Sequence, residues 1–285
     1  MSSSLRKVQH VIVPQPVIEG AGVKLKRSIG TRALDYLDPF LLLDHFASND
    51  PADYQAGFPF HPHRGIETVT YLLWGQVDHR DSIGNAGSIG AGDVQWMTAG
   101  GGIMHEEMPQ PRPGGINGFQ LWVNLPAKLK MTRPRYQGVL AKEIPEVQLS
   151  GGAGVRVITG SVGGVHGPVK GIAANPAYLD VSLPAGSSFT DQITRGQTAF
   201  AYVFDGEASF GGGEKVSHTR LIVFGDGDYV NVTTTDRPVR FLLVSGNPLN
   251  EPIARYGPFV MNTRQEIEQA LRDLREGTFV WSGPE

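Results

Sequence analysis

The 285-residue chain contains no cysteine. This absence excludes disulfide bonds, thiolate metal ligands and a cysteine nucleophile. No apolar stretch is long enough to cross a bilayer, and the N-terminus lacks the apolar core of a secretion signal. A reducing cytoplasm is compatible with these absences, although a cysteine-free chain is indifferent to redox conditions. We therefore expect a cytoplasmic protein that makes no contact with a membrane.

A strong charge of one sign is also missing. The 25 lysines and arginines nearly balance the 28 aspartates and glutamates, which gives a net charge of -3. No global field then attracts nucleic acid, and we expect no direct nucleic-acid binding. The sequence Gly100-Gly101-Gly102 lacks the spacing of a nucleotide-binding loop, and no Ser/His/Asp constellation indicates hydrolysis by a protein nucleophile.

What the chain has in abundance is turn residues, with 37 glycines and 20 prolines. Turn signals recur roughly every eight to twelve residues, between short runs rich in β-branched and aromatic residues. Three such runs are 67–73, 119–123 and 240–244. The pattern predicts an all-β sandwich or barrel. A single helix is predicted at about 263–276, because Thr263 and Glu266 form a capping box and Gly277 ends the apolar periodicity.

Two short clusters of potential metal ligands stand out, His61-Pro62-His63 and His105-Glu106-Glu107. Side chains alternate along a strand, so residues two apart point to the same face. Two facing strands of this kind would present His61, His63, His105 and Glu107 to one ion. Three imidazoles and a carboxylate suit Fe(II), Mn, Ni, Cu or Zn. The sequence therefore predicts one divalent metal ion per chain.

The chain also contains an internal repeat. A shift of 131 positions aligns Arg64-Gly65 with Arg195-Gly196, Tyr71 with Tyr202, and Gly75 with Gly206. With four further residues inserted in the second copy, Gly92-Asp93 aligns with Gly227-Asp228. Under these offsets the four ligand positions fall on Gln192, Thr194, Arg240 and Leu242. We predict two domains, 1–145 and 146–285, of which only the first binds metal. A fold that stands without metal in one copy argues for a catalytic or sensory metal in the other, and against a purely structural one.

Five motifs resemble those of the pirin family, which are bicupins of the cupin superfamily: His61–Val69, Gly92–Gly100, Ile103–Pro109, Asp38–Asp44 and Gly257–Thr263. The resemblance covers nearly the whole chain. It implies two stacked jelly-roll β-barrels, with Fe(II) held in the N-terminal barrel by His61, His63, His105 and Glu107. In the general cupin pattern a glutamate soon after His-x-His is a ligand, which here is Glu67. The residues alone leave that choice open, whereas the likeness to pirins favours Glu107 and places Glu67 behind the ligands.

The same resemblance implies a quercetin 2,3-dioxygenase-like activity. Such an enzyme opens the heterocyclic ring of a flavonol with dioxygen and releases carbon monoxide. Glu107 is the predicted general base, and Glu106 should point to the opposite side of its strand. The apolar residues Phe58, Phe60 and Met97 are candidates for the pocket wall, with ordinary barrel core as an equal alternative.

The alternative function is that of a redox-responsive regulatory protein that binds other proteins. Its candidate surface is the basic cluster Lys24, Lys26, Arg27 and Arg32. An enzyme needs a pocket that admits an aromatic substrate and dioxygen to the metal, whereas a switch needs an exposed binding surface. Two barrels in one chain already supply the pairing that single-barrel cupins obtain by dimerising, which favours a monomer.

Overall fold

The computed structural model describes residues 3–282, which form two compact units. The first unit contains residues 15–36, 40–141 and 249–282, and the second contains 3–14, 37–39 and 142–248. The predicted domains 1–145 and 146–285 assign the terminal segments differently. The difference arises because the first strand pairs within the second unit and the C-terminal helix packs within the first. No helix in the described range is long and apolar enough to span a membrane.

Strands dominate both units. In chain order they are β1 (Val8–Ile12), β2 (Gln15–Glu19), β3 (Val23–Ile29), β4 (Phe40–Ser48), β5 (Phe58–His63), β6 (Ile66–Trp74), β7 (Val77–Asp81), β8 (Ala86–Ile89), β9 (Val94–Thr98), β10 (Ile103–Pro109), β11 (Ile116–Asn124), β12 (Arg135–Val139), β13 (Glu146–Gln148), β14 (Gly154–Thr159), β15 (Ser161–Val162), β16 (Val165–His166), β17 (Ala177–Leu183), β18 (Ser188–Gln192), β19 (Thr198–Phe210), β20 (Lys215–Ser217), β21 (Arg220–Phe224), β22 (Tyr229–Thr233), β23 (Val239–Gly246), β24 (Ala254–Tyr256) and β25 (Phe259–Met261). The helical elements are α1 (Arg264–Glu276) and three short 3-10 helices, Pro51–Asp53, Ala127–Leu129 and Ala141–Glu143.

The all-β fold class with a C-terminal helix is confirmed. The three predicted runs lie in β6, β11 and β23. Helix α1 begins after Thr263, whose side chain accepts from the Glu266 backbone amide while the Glu266 carboxylate accepts from the Thr263 amide. It ends at Gly277 in the left-handed conformation, as the capping pattern predicted.

The first unit consists mainly of two antiparallel sheets that enclose an apolar core. One sheet has the strand order β12-β9-β6-β11-β4-β3-β2, and the other has the order β5-β10-β7-β8. Buried side chains from both sheets pack together, including Phe46 and Leu72 from the larger sheet and Val77 and Ile89 from the smaller. This arrangement places β5 and β10, the two strands that carry the ligand clusters, side by side.

The second unit repeats this topology. Its strand order shows that the predicted alignment of the internal repeat is wrong after Gly206. In the first unit β6 lies between β9 and β11, and in the second β19 lies between β21 and β23. Strand β10 therefore corresponds to β22, which pairs with β18 as β10 pairs with β5. Arg240 and Leu242, the predicted equivalents of His105 and Glu107, lie on β23 instead. The alignment of Gly92-Asp93 with Gly227-Asp228 was wrong because the first pair precedes β9 and the second precedes β22. The prediction that the second copy lacks the histidine ligands still holds for the corresponding strands, since neither β18 nor β22 contains a histidine.

A buried histidine outside the ligand clusters makes the stability of the first unit sensitive to pH. His45 Nε2 lies 2.9 Å from Asn117 Oδ1, and the ring stacks on Phe119. Burial lowers the pKa of His45 to about 4. Because the unfolded chain titrates near 6.5, it binds more protons than the folded state between pH 6.5 and 4, and the native state loses stability as the pH falls. The expected loss is about 3 kcal/mol.

Urea unfolding of the metal-free protein at several pH values tests this expectation against a His45→Gln variant. Glutamine keeps a donor for Asn117 but does not titrate, so the variant should lose less stability between pH 6.5 and 4. Identical pH dependence in the two proteins would show that His45 is not responsible.

Candidate metal centre

Three histidines converge between β5 and β10. The antiparallel register places His61 opposite His105 and His63 opposite Ile103. One ligand nitrogen from each of His61, His63 and His105 lies within 4.8 Å of the others. The predicted alternation along the two strands therefore brings these three imidazoles together, and no other such cluster is found in residues 3–282.

A β-bulge in β5 determines which of the phenylalanines near the histidines lies on the same face of the sheet as the histidines. The pairs His61–His105 and Phe58–Glu107 are separated by three residues on β5 but by two on β10. The extra residue reverses the alternation of β5, so that Phe58 lies on the side of the histidines. Phe60 remains on the opposite face, where it is 42% exposed and lies under the Arg80 guanidinium.

The hydrogen bonds of the histidines fit a divalent cation. His61 Nδ1 donates to the Pro59 carbonyl at 2.9 Å, which leaves the Nε2 lone pair facing His63 Nε2 at 3.1 Å. Ligands bonded at about 2.1 Å on adjacent coordination positions lie about 3.0 Å apart. His105 is buried, and within the described part of the chain neither of its ring nitrogens has a hydrogen-bond partner. A buried imidazole without a partner is costly, and a metal ion would satisfy it.

Electrostatics keeps His63 and His105 neutral and available for a cation. Burial lowers the pKa of His63 and of His105 well below the usual range, and the neighbouring imidazoles lower both further. Neutral imidazole is the form that binds metal. The donor set and its protonation therefore fit the ion that the sequence predicts.

Glu107 is held beside the histidines by a polar pair on the larger sheet. Its Oε1 accepts a hydrogen bond from the Thr70 hydroxyl at 2.8 Å, and the Gln120 side chain lies 2.7 Å from the same hydroxyl. Burial raises the pKa of Glu107, while His61 and the Thr70 hydroxyl oppose the rise. The carboxyl group thus lines the same cavity as His61 and His63, but the group of ligand atoms within 4.8 Å of one another contains the three histidines and not Glu107. Thr70 and Gln120 are cross-strand partners that carried no recognisable sequence signal.

A cavity of about 1000 Å³ opens onto the site. His61, His63 and Glu107 line it together with apolar residues that include Phe58 and Trp122. The Trp122 ring meets His63 edge to face, with 5.1 Å between ring centroids. This volume is at the upper end of the roughly 300–1000 Å³ typical of small-molecule sites. The cavity therefore has room for a multi-ring organic molecule beside the ligand cluster.

The remaining candidates lie away from the cavity wall. Met97 is 1% exposed and packs in an apolar cluster with Ile66 and Ile103, which is the core alternative that the sequence left open. Glu67 is buried and its Oε1 accepts from the Thr98 hydroxyl at 2.8 Å. Glu106 forms an ion pair with Arg80 rather than joining the histidines, as the strand alternation predicted.

The basic cluster considered as a protein-binding surface is partly neutralised. Lys24 pairs with Asp53 at 2.7 Å. Arg27 is only 15% exposed, pairs with Glu19 and Asp44, and lines the cavity. Lys26 and Arg32 are exposed and form no ion pair within residues 3–282.

The turn after His63 is tied to the C-terminal segment. Gly65 has φ +81°, and a Cβ there would lie 2.0 Å from the Val260 carbonyl oxygen. The buried Lys130 ammonium donates to the carbonyls of Gly65 and Val260 at 2.9 and 2.8 Å. Only glycine permits this close approach, so the chain that follows the ligand strand is fixed in position.

Comparisons with known proteins agree with this fold. A family model for pirin matches residues 22–123, and a model for the pirin C-terminal cupin domain matches residues 178–280. A pirin-like protein of Caulobacter vibrioides is 44% identical over 282 residues, covering 96% of this chain and 99% of that protein. Pirin of Homo sapiens is 42% identical over 277 residues, covering 95% and 93%. A crystal structure of quercetin 2,3-dioxygenase from Acinetobacter baumannii aligns with a TM-score of 0.89 at 36% identity, covering 97% and 99%.

Proposed function

The chain belongs to the pirin family, and on this premise we propose that it is a metal-dependent dioxygenase that opens the heterocyclic ring of quercetin-like flavonols. The observation that carries the proposal is the large cavity that meets His61, His63 and Glu107 on one wall. The similarity to the Acinetobacter baumannii enzyme supports the same reaction class. The proposed reaction consumes dioxygen and releases carbon monoxide.

His61, His63, His105 and Glu107 are the proposed ligands of one divalent ion, and Fe(II) is the proposed metal. When bound, the ion supplies Lewis acidity and redox chemistry toward dioxygen. Four protein ligands leave room for substrate in a coordination sphere that commonly accepts six.

The chain's own residues position the substrate and move its proton. Glu107 is the proposed general base, because a carboxylate beside the ligand cluster is placed to take the proton of the flavonol 3-hydroxyl. Thr70 holds Glu107 Oε1 in place at 2.8 Å. Phe58 and Trp122 supply apolar surface for the planar rings and exclude water from them.

The first test is anaerobic reconstitution with Fe(II), followed by addition of quercetin and dioxygen. We expect loss of the flavonol absorbance together with release of carbon monoxide. A His61→Ala variant should lose both signals more than about a hundredfold, because it lacks one of few metal ligands. The matched control is His166→Ala, since His166 is exposed on β16 in the second unit and should leave turnover unchanged.

Absence of turnover in a fully iron-loaded protein would contradict the proposal and favour the redox-responsive regulatory role. Equal turnover in His61→Ala and the parent protein would instead show that the reaction does not use this site. The monomeric state and the cytoplasmic location stay predictions.

A further inference from the structure

The cavity has a second, polar end that the proposed chemistry does not use. Its wall there includes Glu19, Arg27, Asp35, Asp44 and Arg255. Charged groups that line a cavity lose solvation when a ligand enters, so they favour ligands that replace the lost hydrogen bonds. The polar end is therefore a determinant of which substrates fit.

Arg27 is held in place by two protein carboxylates. Its Nε and Nη2 donate to the two oxygens of Asp44 at 2.8 and 2.7 Å, and its Nη1 donates to Glu19 Oε1 at 2.7 Å. Glu19 keeps acceptor capacity, because a carboxylate offers several lone pairs and within residues 3–282 only its Oε1 accepts a hydrogen bond. Three of the five guanidinium N–H groups of Arg27 thus orient acceptors at the wall.

Arg255 supplies the donors. Its Nη1 donates to the Leu41 carbonyl at 3.2 Å, and its Cζ lies over the Trp122 ring at 5.1 Å. Within residues 3–282 the Arg255 guanidinium forms no ion pair, and the charges of Asp35, Asp44 and Glu19 act on it only at longer range. The remaining N–H groups of Arg255 are accordingly available, on a side chain whose position two contacts fix.

Trp122 links the polar end to the ligand cluster. The same indole ring contacts His63 on one side and Arg255 on another, each at 5.1 Å. Two steps of that length place Arg255 Cζ within about 10 Å of the His63 ring. A rigid aromatic molecule of two or three rings that is bound at the histidines would therefore reach the polar end with its remote ring.

The balance of donors and acceptors identifies the chemistry of that remote ring. Arg255 offers donors, whereas Glu19 and Asp35 offer acceptors, and the wall as a whole carries three acidic and two basic side chains. An apolar ring would leave these groups unsatisfied, and a carboxylate on the ligand would meet two others. A hydroxyl both donates and accepts, so neighbouring phenolic hydroxyls satisfy both kinds of group.

We propose that this polar end is a specificity site for substrates whose remote ring carries neighbouring hydroxyls, and that Arg255 and Asp35 determine the preference. The inference rests on the proposed function, because it takes the flavonol to be bound at the histidine cluster. Arg255 and Asp35 bind the remote ring and take no part in ring opening.

The test measures binding separately from turnover. Anaerobic titrations of the Zn-loaded protein would compare a flavonol with two neighbouring hydroxyls on its pendant ring with a flavonol that has none there. We expect the dihydroxylated ligand to bind about tenfold more tightly to the parent protein, as a charged hydrogen bond predicts. In Arg255→Gln and in Asp35→Asn this ratio should fall toward one, while the dissociation constant of the unsubstituted flavonol changes less than about twofold.

Arg32→Gln is the matched control, because Arg32 is an exposed arginine outside the cavity lining and should keep the parent ratio. A ratio near one in the parent protein, or a ratio that both variants retain, would overturn the proposal. If both flavonols bind with the expected ratio but neither is turned over by the iron-loaded protein, the specificity site stands and the dioxygenase reaction fails. The two proposals are therefore separately falsifiable.

Discussion

Replacing Glu107 with glutamine is expected to reduce flavonol turnover about a thousandfold while the protein still binds iron. General-base catalysis contributes roughly 10²–10⁴ in rate, and an amide cannot accept the substrate proton. Glutamine has the same shape, and its amide oxygen still accepts from Thr70, which is 2.8 Å from Glu107 Oε1. The three histidines remain, so the loss of metal affinity should be smaller than in His61→Ala.

Iron content by mass spectrometry and flavonol decay in a single turnover separate the two effects. Glu106→Gln is the control, because Glu106 is adjacent in sequence but forms an ion pair with Arg80. That variant should retain both iron and turnover. Parent-like turnover in an iron-loaded Glu107→Gln protein would rule out the proposed base and leave proton removal to another group.

The three-histidine cluster was predictable because a simple geometric rule produces it. Residues two apart on a strand share a face, and the pairs His61/His63 and His105/Glu107 both have that spacing. The structure places His61 opposite His105, so the rule needs only a pairing of β5 with β10. Strand content and the capped helix were likewise local properties of the sequence.

The cavity wall was not predictable by the same rule. The bulge in β5 places Phe58 on the same face as the metal ligands and leaves Phe60 on the opposite face. No residue in that stretch of the sequence indicates that a bulge is present. The polar end joins Asp35 to Arg255, which are separated by most of the chain. Such sites depend on how the terminal segment 249–282 packs in the first unit, which is a tertiary property.

Replacing Asp273 with alanine is expected to destabilise helix α1 by about 3 kcal/mol, because it removes the carboxylate that pairs with the buried Arg64 guanidinium and leaves that charge uncompensated. Arg64 directly follows the ligand His63, and its side chain is 4% exposed. Its Nη1 donates to Asp273 Oδ2 at 2.6 Å, while Nε and Nη2 donate to the carbonyls of Gly101 and Phe279. The guanidinium thus joins the ligand strand, the turn before β10 and the chain after α1.

Hydrogen exchange of the α1 amides in the metal-free protein measures this local stability without requiring the two units to unfold together. Glu268→Ala is the matched control on the same helix, because Glu268 pairs with Arg264 at the surface, where the two side chains are 50% and 92% exposed. An exposed pair of this kind contributes at most about 0.5 kcal/mol. Equal effects of the two substitutions would show that the two carbonyl bonds alone hold Arg64, and that α1 is not anchored to the ligand strand through Asp273.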